Sequence, residues 1–170
     1  MLICIALFGL NRSLPWTYTS ILANLVRPLR QYGAQVKLYG HFNIPQSIEN
    51  PRSGERVGSF KNRGLDLLPF DHLRLTPQND EEIAGLLERF KLHDLQSNDS
   101  SIYTHRNLIN QYRSLHAVMQ MIQSVEGDDV DIVLFARPDV EYIDELAVNE
   151  ELPKLLDGSA DLLTPTWHRW

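Results

Sequence analysis

The sequence predicts an α/β fold on a mainly parallel sheet, and three features carry that prediction. Residues 2–39 read as strand, helix and strand, a βαβ unit whose two strands run parallel. The apolar run Ile132–Ala136 is bounded by turn-forming residues, the pattern of a strand buried on both faces. Along the rest of the chain, helical and extended periodicities alternate.

Taken in order, Leu2 to Leu10 is an apolar strand that enters the turn-rich segment Gly9-Leu10-Asn11-Arg12-Ser13. Pro15 stands where the first turn of a helix accepts it. Ile21, Leu22, Leu25 and Leu29 then recur at helical spacing as far as Tyr32, and Gly33 is a natural stop. Ala34 to Tyr39 alternates, with Val36 and Leu38 on one face, as a second strand requires. Phe42 to Gly64 is rich in Pro, Asn, Ser, Gly and Arg, and a loop that long inside a domain is functional or mobile. A short strand is expected at His72–Leu75. Asp80-Glu81-Glu82 opens a helix with acidic residues where the helix dipole favours them, and Asp94 to Ser101 is a polar connection. Leu108, Tyr112, Leu115, Val118, Met119 and Ile122 form the apolar stripe of the next helix. Asn110, Gln111, Arg113 and Gln120 lie opposite that stripe, and the helix stops near Gly127. After Ile132–Ala136, a short helix at Leu152–Leu156 and a strand at Ala160–Thr164 are expected.

The 170 residues suit one α/β domain, residues 1–170. A hydrophobic content of 43% and a charged content of 22% are those of an ordinary globular protein. The net charge of −6 argues against a nucleic-acid binder, which would carry a basic patch. The single cysteine, Cys4, has no disulfide partner within the chain and reads as a small buried hydrophobe. Met1 to Leu10 lacks a basic leader and is too short to span a bilayer, which predicts a cytoplasmic protein without a transmembrane segment. The chain ends on Thr164-Pro165-Thr166-Trp167-His168-Arg169-Trp170, two tryptophans with no polar tail. Domain ends are usually exposed and tolerant, so the fold is expected to continue beyond Trp170.

Candidate chemistry gathers at the end of the central strand. Arg137-Pro138-Asp139, with Glu141 two positions on, would lie at the carboxyl edge of the sheet, where open α/β sheets bind ligands. If the chain stays extended past Pro138, Asp139 and Glu141 point the same way and could share one Mg²⁺ or Mn²⁺. Such ions take one or two carboxylates together with substrate phosphates. Arg137 would then offer its planar fork to a phosphate. The same residues read equally as a solvated strand end with a weak surface salt bridge. The turn after the first strand, with Asn11, Arg12, Ser13, Thr17 and Thr19, is a second candidate, because free N–H groups at a helix start attract anions. Ser13 as a simple helix cap explains that turn as well. Trp167 and His168 could line a sugar or base pocket, or belong to the core. No dinucleotide-binding, P-loop, zinc-protease or serine-hydrolase motif is present.

Several short segments together resemble a bacterial and viral type of GT-A-like glycosyltransferase. They are Phe8-Gly9-Leu10-Asn11-Arg12-Ser13, Val36-Lys37-Leu38-Tyr39-Gly40-His41, Asn110-Gln111-Tyr112-Arg113-Ser114-Leu115, Phe135-Ala136-Arg137-Pro138-Asp139 and Thr164-Pro165-Thr166-Trp167-His168. The resemblance implies a Rossmann-like, GT-A-type fold, a nucleotide-diphosphate-sugar donor, and transfer of a hexose to a glycan or other small acceptor. It implies Asp139 as the catalytic-site carboxylate, Asp139 and Glu141 as metal ligands, and Asn11, Arg12, Gln111, Arg137, Trp167 and His168 as substrate-binding residues. Arg137 stands where the family's Asp-x-Asp motif has its first acid, so either Asp139 works with Glu141 or Arg137 supplies part of the metal's charge. By the same resemblance the acceptor half would follow Trp170, making this the N-terminal part of a longer catalytic domain. A sulfotransferase-like nucleotide binder and a non-catalytic carbohydrate-related domain are the alternatives. The Asn11-Arg12-Ser13 loop suits the first of these but lacks the expected lysine.

Overall fold

A computed structural model of the chain describes residues 1–45, 48–50, 55–57, 63–90 and 100–163. In chain order the strands are β1 (Leu2–Gly9), β2 (Gln35–Ile44), β3 (Ile48–Asn50), β4 (Glu55–Val57), β5 (His72–Pro77) and β6 (Ile132–Ala136). The helices are α1 (Leu14–Ile21), α2 (Arg27–Gln31), α3 (Asp80–Arg89), α4 (Ser100–Glu126) and α5 (Val148–Leu156). Four strands form one sheet in the order β5-β2-β1-β6, and every neighbouring pair is parallel. β3 and β4 make a separate antiparallel ribbon within the stretch that the sequence marks as a loop. The α/β class and the mainly parallel sheet are as expected.

β1 shows why the sheet is covered twice. Ile3, Ile5 and Leu7 pack on one face with Ile21, Leu25, Leu29, Val148 and Leu152. Cys4, Ala6 and Phe8 pack on the other with Val118 and Ile122 of α4. A strand apolar at every position can be stable only where both faces are dry. The connections β1→β2 and β5→β6 travel in opposite directions across the sheet, so right-handed crossovers place α1/α2 and α4 on opposite faces.

Four expectations need correcting. The helix from Pro15 to Tyr32 is interrupted by a π-helical turn at Leu22–Val26. Pro28 has no N–H, so the carbonyl of Asn24 loses its helical partner; it accepts from Leu146 N at 2.8 Å instead. The stripe on α4 is shifted: Asn110, Ser114, Val118 and Ile122 are buried, whereas Leu108 and Tyr112 are exposed. The strand expected at Ala160–Thr164 does not form over residues 160–163, and Thr164 lies outside the described residues. α5 packs on the α1/α2 face, so a parallel strand directly after it could reach β6's open edge only through a left-handed crossover. Ile132–Ala136 is β6, an edge strand rather than a central one buried on both faces: it pairs only with β1 among the described residues, Ile132, Val133 and Leu134 are half-buried, and Phe135 is exposed. Elsewhere the elements differ in length alone: β5 runs on to Pro77, and α5 begins at Val148. No described helix is long and apolar enough to cross a membrane.

Candidate functional site

The chain leaves β1 for β2 on one side and later returns to β6 on the other, so the topological switch point lies between β1 and β6. Crevices at such points, outside the carboxyl ends of the strands, are where open α/β sheets hold ligands. Leu7 pairs with Ala136, which brings the loop from Gly9 to Ser13 and the segment Arg137–Asp139 to the same edge. Thr17 Oγ1 closes the gap by donating to Pro138 O at 2.6 Å. Asn11, Arg12, Arg137 and Asp139 therefore share one rim.

Their individual states differ. Asn11 is buried; its amide donates to Arg63 O at 2.9 Å and its Oδ1 accepts from Leu14 N at 3.3 Å. Those bonds shape the loop. Arg12 and Gln111 are half-buried, and Gln111 sits nearly one turn before Ser114, which anchors α4 to Gly9. Arg137 grips Asp139 with both arms of a fork, Nε to Oδ1 at 2.8 Å and Nη2 to Oδ2 at 2.7 Å. That bond raises the guanidinium's pKa above its ordinary value. Arg137's side chain is 44% exposed and Asp139's 17%. Trp167 and His168 lie outside the described residues.

The expected pairing of Asp139 with Glu141 depends on an extended backbone, and the chain instead turns at Pro138 and Asp139. Glu141 is exposed, and both Asp139 oxygens already accept from Arg137. Among the described residues, no three His, Cys, Asp or Glu side chains are grouped to hold a metal. These residues fit a preformed Mg²⁺ or Mn²⁺ site poorly, since such an ion needs free carboxylate oxygens.

Two polar assemblies not expected from the sequence position this rim. One runs along the first helix, where Thr17, Ser20, Asn24 and Arg27 recur at helical spacing. Ser20 Oγ accepts from Tyr142 N at 3.1 Å, Asn24 Nδ2 donates to the carbonyls of Tyr142 and Ile143, and Arg27 pairs with Glu145. The segment 137–146 is thus strapped along α1, the π turn and the start of α2, and Tyr142 Oη accepts from Arg137 N at 2.9 Å. Small polar residues interrupting an otherwise apolar helix, four before a proline, are the signal that was available. Replacing Asn24 by alanine should cost about 1–2 kcal/mol and speed hydrogen exchange across residues 142–146 more than in β1. Uniform acceleration through the sheet would show that the strap is not a separate unit.

The other assembly joins β2 to α4. Lys37, Tyr39, His41 and Asn43 form one face of β2, the last three buried. Lys37 and Tyr39 bond Glu126, and Asn43 Nδ2 donates to Asn110 O at 3.0 Å. At the centre, the fully buried Ser114 donates to His41 O at 2.7 Å and accepts from Gly9 N at 2.8 Å. Its one proton is then spent, so His41 Nδ1, 2.8 Å away, carries the ring hydrogen and donates to Ser114. His41 Nε2 accepts from Thr76 Oγ1 at 2.9 Å. The ring is neutral: burial first, with Arg74 next, lowers its pKa to about 4. A serine beside a histidine is here a structural clasp, since the hydroxyl is both enclosed and fully bonded. Cys4 is likewise no nucleophile, because burial, helped by Glu126, pushes its thiol up to about 11.

No family model, curated protein or solved structure matches the chain.

Proposed function

We propose that the chain is the donor-binding part of a GT-A-type glycosyltransferase, holding a nucleotide-diphosphate sugar in the crevice between β1 and β6 for hexose transfer to a glycan or other small acceptor. The observation that carries this function is the placement of Arg137 at the switch point, beside the loop that contains Asn11 and Arg12. A planar guanidinium at such a crevice suits a phosphate group. Thr17 and the strap hold the backbone of residues 137–146, so the cation is presented by a rigid rim. Asn11 acts through the loop's shape, and Gln111, Trp167 and His168 remain donor contacts on the strength of the family resemblance alone. Asp139 stands where the family carries a metal ligand. A bound Mg²⁺ or Mn²⁺ would stabilise the departing diphosphate as a Lewis acid.

Isothermal titration with UDP- and GDP-sugars, with Mn²⁺ and separately with EDTA, tests the function. One donor should bind, and Arg137→Ala should weaken it about 10- to 100-fold, the value of a lost charge-assisted hydrogen-bond pair. Absence of heat for every nucleotide sugar, or an unchanged affinity in the variant, would remove this function.

A further inference from the structure

We infer that Asp139 is a displaceable internal counter-ion: a ligand phosphate takes its place in the Arg137 fork, and binding at this rim does not depend on a divalent cation. The inference rests on the nucleotide-diphosphate function above and specifies how its phosphate is held.

The geometry of the pair is the first support. Nε and Nη2 of Arg137 meet the two carboxylate oxygens at 2.8 and 2.7 Å, the side-on mode in which the guanidinium also takes two oxygens of a phosphate. Asp139 therefore fills a phosphate-shaped position. Solvent reaches the pair from the arginine side, where 44% of the Arg137 side chain is exposed against 17% of Asp139, so an incoming anion can approach the fork. A diphosphate carries more charge than one carboxylate and competes well for the same fork.

The second support is what stays fixed. Arg137 N is bonded to Tyr142 Oη, and Pro138 O accepts from Thr17 Oγ1. These bonds hold the backbone before Asp139, and Tyr142 N donating to Ser20 Oγ holds it after, so the swap asks for side-chain rotation. The third is that no metal-holding group surrounds Asp139 among the described residues. Its partner in the metal hypothesis, Glu141, follows a turn rather than an extended segment, and both Asp139 oxygens are engaged. A resident metal would have to break the ion pair and leave Arg137 beside a divalent cation, a like-charge contact.

Inorganic diphosphate is the probe, titrated into the chain in EDTA. Asp139→Ala should bind it about two- to fivefold more tightly than the wild type, the range set by removing a competing ion pair that solvent reaches. Glu141→Gln removes the same charge from the same loop and should leave the affinity within error, which separates ion exchange from a general loss of negative charge. Arg137→Lys in the Asp139→Ala background should lose the gain, since a lysine lacks the fork. Weaker or unchanged binding in Asp139→Ala, an equal gain in Glu141→Gln, or binding that appears only with Mn²⁺ would overturn the exchange. If a nucleotide sugar still binds in those cases, the donor-site function survives without it. If neither diphosphate nor any nucleotide sugar binds, both fall together.

Discussion

Replacing Ser114 by alanine is expected to destabilise the fold by about 3 kcal/mol, although it removes one oxygen atom. The hydroxyl is fully buried and serves three partners: Gly9 N, His41 O and His41 Nδ1. Alanine would strand two donors and one acceptor in a site closed to water. Each buried polar group left unsatisfied costs about 1–3 kcal/mol, and partial relaxation brings the total below the sum. Urea denaturation measures the loss directly, with an unchanged slope indicating an unchanged unfolding transition. A double-mutant cycle with His41→Ala should show coupling of about 1–2 kcal/mol, because the two side chains share one network. A loss under about 1 kcal/mol would mean that the clasp is not satisfied as described. The same substitution should loosen the start of the β1 loop, since Gly9 N loses its anchor at the rim.

Acid should act through the same clasp. The native state holds His41 neutral with a pKa near 4, whereas the ordinary value is 6.5. Above about pH 6.5 the ring is neutral in both folded and unfolded chains, and the clasp contributes fully. Between about pH 6.5 and 4 the unfolded chain takes up a proton that the native ring refuses, so stability falls as pH falls. Below about pH 4 both states are protonated and this group adds no further slope. The whole contribution is on the order of 3 kcal/mol, from the interval between the two pKa values. Arg74 and Arg113 reinforce the effect, as both disfavour a second positive charge nearby. The test subtracts the pH profile of His41→Asn from that of the wild type, which cancels the other histidines and the carboxylates. A flat difference between pH 6.5 and 4 would show that His41 is not held neutral. The sign is the same for the Glu126 cluster, where Lys37 lowers the carboxyl pKa, but the pH window separates the two, because that contribution is lost only in the more acidic carboxylate range.

The edge of the sheet was legible because its signals are local. An apolar run ending at Arg137-Pro138-Asp139 announces a strand terminus, and the β1 turn announces another. Parallel pairing through right-handed crossovers then leaves little freedom in placing them on one rim. What the two residues do there was not legible. Arg137 and Asp139 can be ion-paired, metal-bound or open with the same residues. With the turn at Pro138 and Asp139, the two side chains stand as an ion pair.

By itself the sequence determined the α/β class, the β1–helix–β2 unit, the existence of the strand Ile132–Ala136 and the rim where charge collects, because strand and helix periods and turn chemistry act over a few residues; that this strand lies at the edge of the sheet was decided by the topology. The tertiary structure alone decided which polar residues go inside. Tyr39, His41 and Asn43 alternate with apolar neighbours as a half-exposed strand would, yet α4 covers them. Polar side chains can be buried only where partners meet their hydrogen bonds, and Ser114 reaches His41 from 73 positions away. That same requirement turned the face of α4 from Leu108 and Tyr112 toward Asn110 and Ser114. It is a matching of two distant surfaces, which no local pattern encodes.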